Sequence, residues 1–272
     1  MHLPPNFSNQ NDFSFWFPKI ENCGMRVPKS LIFKVPSELL EAFYMERKGD
    51  FELIRDWAEA NIIPQMENSR YFMKNSRFSN KFDFKHCITD KRSLVNDLCA
   101  IQYASLCLET NGEHEVVLRE IIGWEAALVP GIYSGMPLRT ELRVFYDFEQ
   151  QKVLYTANYW DYDYVRPHLY DKTDQIIFDA WREKIEQGFV KYKTYVEKLV
   201  ESCMRNVEGL EKQWSIDILV DERPHAKPIA PPEGLGLTLI EDGQEQPKVE
   251  FWLIDMALAQ ASAYWDAEKA GL

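Results

Sequence analysis

The sequence predicts an α+β chain, and three observations carry that prediction. Short alternating or apolar runs recur between turn-forming residues, as strands do. Other segments repeat apolar residues at spacings of three and four, as helices do. One pair of runs, 138–148 and 152–159, is joined by only Glu149-Gln150-Gln151, which reads as a β-hairpin.

The elements follow in order. Residues 1–48 are punctuated by proline and read as irregular, apart from a short strand over 30–35. Asp50 is placed to cap a helix that carries Phe51, Ile54, Trp57 and Ala58 on one face and stops before Pro64. Residues 70–74 read as a strand entering the polar loop 75–81. Thr89 or Asp90 then opens a helix with Leu94, Leu98, Ile101, Ser105 and Leu108 in its stripe, ended by Asn111-Gly112. A strand over 115–122, a loop with Pro130, Gly131, Gly135 and Pro137, and the hairpin come next. A tyrosine-rich segment leads to a long helix over about 174–207, striped by Ile177, Trp181, Ile185, Phe189, Val196, Leu199 and Cys203, with Gly188 expected to weaken or bend it. Strands are expected over 214–220, 237–240 and 249–255, with prolines 224, 228, 231 and 232 in a loop and a turn at Asp242-Gly243. An Ala-rich helix closes the chain.

Composition bounds the function. The 272 residues are 46% hydrophobic and 27% charged, enough for a sizeable core. The net charge is −12, so the chain lacks the overall basic footprint of a sequence-independent nucleic-acid binder. A local basic groove stays open, since Arg70, Lys74, Arg77, Lys81, Lys85, Lys91 and Arg92 crowd one segment. The start has no basic n-region followed by an apolar stretch, and no uncharged run approaches the roughly 18 residues of a membrane span. Five scattered cysteines without a CxxC pair indicate neither a zinc ribbon nor a disulfide framework. The expectation is a reduced, cytoplasmic protein.

Three groups of residues suit chemistry. Alternation on the first hairpin strand places Arg139, Glu141, Arg143, Phe145 and Asp147 on one face. Two arginines around a glutamate suit phosphate, because a guanidinium matches phosphate oxygens in bidentate fashion; a solvated face of ion pairs is the competing reading. Asp217 lies inside the apolar run Trp214-Ser215-Ile216-Asp217-Ile218-Leu219-Val220, and Asp255 ends Phe251-Trp252-Leu253-Ile254-Asp255. A carboxylate there must be paired or metal-bound unless it faces water, and two on neighbouring strands suit Mg²⁺ carried by nucleotide phosphates. Asp255 is equally placed to end its strand or to cap the last helix. Lys74 ends a strand before a polar loop able to fold over phosphates, though that loop has no glycine. Tyr155, Tyr159, Trp160, Tyr162, Tyr164 and Tyr170 are able to stack bases, but the packing of a twisted sheet is the leading reading.

Taken in order, the strand-borne Lys74, Arg119-Glu120, the run Met136-Pro137-Leu138-Arg139-Thr140-Glu141-Leu142-Arg143-Val144-Phe145, Trp214-Ser215-Ile216-Asp217 and Trp252-Leu253-Ile254-Asp255-Met256 resemble the ATP-grasp superfamily. The resemblance is to its small divergent bacterial and phage members, and to the eukaryotic family that assists assembly of a translation initiation factor. It covers roughly 64–260. It implies two α+β lobes around an ATP cleft, with an N-terminal subdomain over 1–63, a small lobe over 64–125 and a large lobe over 126–272. It implies ATP and Mg²⁺ as cofactors, with Lys74 and Lys81 toward the phosphates and Arg119, Glu120 and Ile122 near adenine and ribose. Arg143 would face the transferring phosphate, and Asp217 and Asp255 the metal. Ala257 stands where the family's second metal motif has asparagine. The implied activity is a ligase that activates a carboxylate as an acylphosphate for attack by an amine. The alternatives are a non-catalytic ATP-binding assembly factor for a protein partner and an ATP-dependent RNA repair or ligation enzyme, the last disfavoured by charge.

Overall fold

The computed structural model describes residues 9–45, 47–108, 114–123, 129–222 and 249–271. In chain order the elements are α1 (Phe13–Ile20), β1 (Ser30–Lys34), α2 (Ser37–Met45), α3 (Asp50–Asn61), β2 (Tyr71–Asn75), β3 (Ile88–Thr89), α4 (Leu94–Cys107) and β4 (Glu115–Arg119). They continue with β5 (Gly131–Ile132), β6 (Met136–Pro137), β7 (Glu141–Asp147), β8 (Lys152–Asn158), α5 (Tyr162–Val165), α6 (Lys172–Met204), β9 (Gln213–Asp221), β10 (Glu250–Leu258) and α7 (Ala267–Ala270). The architecture is α+β. Two four-stranded antiparallel sheets, ordered β1-β4-β2-β3 and β10-β9-β7-β8, are joined by a small β5-β6 ladder.

Each sheet carries its own core. Leu39, Ile54, Leu98 and Ile101 from α2, α3 and α4 pack against Met73, Val116 and Leu118 of the first sheet. Trp16, Tyr192, Val196 and Val200 pack against Val144, Trp214, Ile216 and Leu253 of the second. Helix α6 serves both, with Phe178 and Ile185 in the first core and Tyr192 onward in the second. Its 33 residues span about 50 Å. Gly188 does not break it. A Cβ at that position would lie 2.2 Å from Thr140 Oγ1, so the glycine lets the helix approach the residue before β7.

Several expectations are corrected. Residues 1–48 hold two helices besides β1. Helix α1 contains Pro18 and little polar periodicity, and burial of Phe13, Trp16, Phe17 and Ile20 against the second core selects it instead of local propensity. Segment 1–63 contributes to the first sheet, since β1 is one of its strands and α2 and α3 share its core. The segment before β1 also pads the far edge of the second sheet, where Leu253 N donates to Arg26 O at 2.9 Å. Helix α6 is capped by Asp171, which accepts from Thr173 N at 2.6 Å and Asp174 N at 3.1 Å, so it starts before 174. Helix α3 begins at Asp50 itself, whose carboxylate accepts from Arg47 N at 2.7 Å. Strand β4 stops at Arg119, and the Ala-rich C-terminal helix shrinks to the four residues of α7. The expected strand over 237–240, the turn at 242–243, the four-proline loop and the helix end at 111–112 lie outside the described residues.

All five cysteines are unpaired. Among the described residues no helix is long and apolar enough to cross a membrane.

Candidate functional site

The two sheets face each other across a cleft of about 1120 Å³, lined by Lys81, Arg143, Tyr159, Asp217, Asp255 and Tyr264 among others. A smaller pocket of about 140 Å³ shares Lys81 and Met136 with it. Phe72, Phe84, Ile122, Leu219 and Ile254 wall this pocket, with Arg119, Glu120 and Glu141 among its polar lining.

Register builds the charged floor. On the second sheet Arg143 of β7 pairs with Asp217 of β9, and Asp217 with Asp255 of β10, so the three stand in a row across three strands. An irregularity between Leu253 and Asp255 sets this row. Arg143 Nε and Nη2 donate to the two oxygens of Asp217 at 2.7 Å each, a bidentate fork. From the first sheet Lys74 Nζ donates to both oxygens of Asp255, at 2.9 and 2.8 Å. Asp255 lies within β10, which runs on through Met256, Ala257 and Leu258; it neither ends the strand nor caps a helix. Neither aspartate is left to water as its only partner.

The electrostatics follow from burial. Desolvation pulls the Lys74 ammonium down, while Asp255 pulls it back up and Arg119 adds to the lowering. Burial pushes Asp255 up, but Lys74 and Arg119 outweigh it and hold the carboxyl below its usual range. With both oxygens held by the ammonium, the pair is ionised. Burial lowers Arg119 to about 10, partly offset by Asp255, and its guanidinium lies 5.4 Å from the Phe13 ring. Arg143 is lowered by desolvation and raised further by Asp217, for a net rise. Burial lifts Glu141 to about 7 against the pull of Lys81, and one of its carboxylate oxygens has no hydrogen-bond partner.

Lys81 opens the 3₁₀ turns over Lys81–Cys87 and donates to the Tyr159 hydroxyl. Desolvation lowers its ammonium, but Tyr159, Glu141 and Asp217 together hold it above its ordinary value. Arg139 precedes β7 and does not join Arg143. Its guanidinium donates to Ile122 O at 2.8 Å and to Gly123 O, fastening the strand exit that walls the small pocket. Glu120 Oε2 accepts from Lys29 N at 3.2 Å. Asp147 ends β7 away from Arg143, and its carboxylate closes the hairpin turn by accepting from Glu149 N and Gln150 N.

The clustered basic residues do not form one groove. Arg77 and Lys81 line the cleft, Lys74 meets it through Asp255, and Arg70 and Lys85 line a separate pocket.

Sequence offers Tyr159 as a stacking or packing residue and gives no sign of Tyr264. Tyr159 bonds Lys81 and places its ring 4.9 Å from the Arg143 guanidinium. Tyr264 sits at φ 67°, a strained conformation for a tyrosine, and its hydroxyl donates to Tyr159 O at 2.7 Å. For Tyr159 the only sequence signal is the tyrosine cluster, for which packing is the leading reading.

Two in-register carboxylates fit one Mg²⁺ that arrives with phosphates. Ala257, the register partner of Ser215, offers no ligand, and among the described residues no group of three or more His, Cys, Asp or Glu could hold a metal ion.

No family model matches the chain, and no curated protein does. In overall shape it is similar to C-terminally truncated Cdc123 from Schizosaccharomyces pombe, with 12% identity and a TM-score of 0.49 over 93% of this chain and 86% of that one. It is also similar to D-alanyl-alanine synthetase A from Vibrio cholerae, with 10% identity and a TM-score of 0.31 over 92% and 55%. For the VanG D-Ala:D-Ser ligase from Enterococcus faecalis the values are 16% and 0.27 over 76% and 48%. These are likenesses of distant chains in overall shape, and they bear on no side chain of the site.

Proposed function

We propose that the cleft binds ATP with Mg²⁺ and that the protein is a ligase, activating a carboxylate as an acylphosphate for attack by an amine. The observation that carries this reading is the row Arg143, Asp217 and Asp255, in register on one sheet and facing Lys74 from the other. On this reading Lys74, Lys81 and Arg143 face the phosphates, and Asp217 and Asp255 would hold Mg²⁺, which supplies charge neutralisation on the phosphates. The small apolar pocket takes the base, with Arg119, Glu120, Ile122, Arg139 and Glu141 at its border. The aromatic remainder of the cleft, walled by Tyr133, Tyr164 and Tyr264, takes the acceptor.

The chemistry asks for positioning and charge neutralisation, with no covalent protein intermediate. A substrate carboxylate oxygen attacks the γ-phosphorus, and the bond to the bridging oxygen of ADP breaks. The amine then attacks the acyl carbon, phosphate leaves with the bonding pair, and the amine proton passes to solvent. Lys74 and Arg143, held by carboxylates on rigid strands, offset the charge that builds on the transferred group. The test is calorimetry with Mg-ATP on the wild type and on Lys74→Ala and Asp217→Ala. Binding that Lys74→Ala loses and Asp217→Ala weakens supports the reading, and no binding to the wild type ends it.

Ala257 favours a second reading, a non-catalytic ATP-binding assembly factor for a protein partner, because it supplies no further metal ligand beside Asp255. Mg-ATP binding without ADP release, with one co-purifying protein, would select it. Release of AMP with an adenylated intermediate would instead select RNA ligation.

A further inference from the structure

We infer that the cleft takes up its divalent cation and its phosphates as one coupled event, because the groups that each ligand needs are held by the groups that the other needs. This rests on the nucleotide reading above and concerns the control of that same site. The two carboxylates suited to a cation are bound by two of the cations suited to phosphate. Lys74 holds both oxygens of Asp255, and Arg143 holds both oxygens of Asp217.

Burial makes the cross-pairing consequential. The Lys74 and Asp217 side chains are 3% and 4% exposed, Arg143 13%, and Asp255 27%. A phosphate that drew Lys74 and Arg143 away by itself would leave two carboxylates side by side without their partners. A cation that drew off the carboxylates by itself would leave Lys74 buried beside Arg119 and Lys81, both of which already oppose its charge. A buried charge stripped of its partner is strongly destabilising, since neither water nor a counter-charge replaces what it lost. Lys81 cannot stand in for either cation while Tyr159 holds it. With both ligands present, Asp217 and Asp255 turn to the cation while Lys74 and Arg143 turn to the phosphates, and none of the four side-chain charges is left without a partner. The coupling is reciprocal, so each ligand tightens the other by the same factor.

The experiment is calorimetry on the full chain with ATP, in chelator and in excess Mg²⁺, and with MgCl₂ alone. Wild type is expected to bind metal-free ATP about tenfold or more weakly than Mg-ATP, within the usual range for coupled sites. MgCl₂ alone is expected to give no measurable binding. The decisive variant is Asp255→Asn, which removes a carboxylate and frees Lys74. Its metal-free ATP binding should become several-fold tighter than wild type, while the gain from Mg²⁺ largely disappears. Asp217→Asn, freeing Arg143, makes the same prediction independently. Asp174→Asn removes a charge from the same cleft without freeing a cation, since Asp174 accepts from Tyr133 N at 2.9 Å; its effect should stay within about twofold. Metal-free binding in folded Asp255→Asn and Asp217→Asn that is no tighter than in Asp174→Asn would overturn the coupling while leaving the nucleotide reading intact. Absence of any ATP binding to wild type in either buffer would overturn the reading itself.

Discussion

Replacing Glu141 by Gln should stabilise the protein at neutral pH and above, and by an amount that depends on pH. Glu141 is 4% exposed, and one of its carboxylate oxygens lacks a hydrogen-bond partner. Burial moves its carboxyl from the ordinary 4.5 to about 7. Because the folded value is raised, the folded chain holds this proton over a range where the unfolded chain has released it. Stability is therefore undiminished below about 4.5 and falls as pH rises toward 7. The difference corresponds to about 3 kcal/mol at its full extent. Gln keeps the shape and carries no proton to lose. Urea unfolding of wild type and Glu141→Gln between pH 5 and 8 measures the gap directly, since most other groups titrate alike in both chains and cancel. Over that range the gap should widen with pH by about 2.5 kcal/mol. A gap that stays constant from pH 5 to 8 would refute the reasoning, and a gap that narrows would reverse its sign.

Gly188→Ala should cost about 1–3 kcal/mol by overpacking against Thr140, and adding Thr140→Ala should recover part of it in a double-mutant cycle read by denaturant midpoint. Tyr159→Phe removes the hydroxyl that holds Lys81, so calorimetry should show Mg-ATP affinity several-fold weaker while the melting temperature barely moves. Arg143→Lys exchanges a two-pronged fork on Asp217 for a point charge. It should weaken Mg-ATP binding by about tenfold or more and lower stability, as read by the same two measurements.

What was legible in the sequence is what local periodicity writes. The β7–β8 hairpin, the apolar runs of β9 and β10 and the length of α6 could all be read from residue spacing. So could the charged candidates, because a lysine or aspartate inside an apolar strand is conspicuous whatever its partner. Their partnerships were not legible. Lys74 and Asp255 are 181 residues apart, and their meeting depends on the packing of two sheets. Arg139 and Asp147 stay apart from Arg143 for local reasons, since one lies before the strand and the other ends it in the hairpin turn. Helix α1 escaped because burial of Trp16 and Phe17 decides it, and that burial belongs to the tertiary fold.

The central claim is that this cleft binds ATP with Mg²⁺ through Lys74, Arg143, Asp217 and Asp255. Titration calorimetry of the wild-type chain with Mg-ATP tests it most directly. Saturable one-site binding that is lost in Lys74→Ala and weakened in Asp217→Ala by the loss of the gain from Mg²⁺, each still folded by its melting transition, is the predicted result. No heat of binding with the wild type, or binding that both variants retain in full, would contradict it.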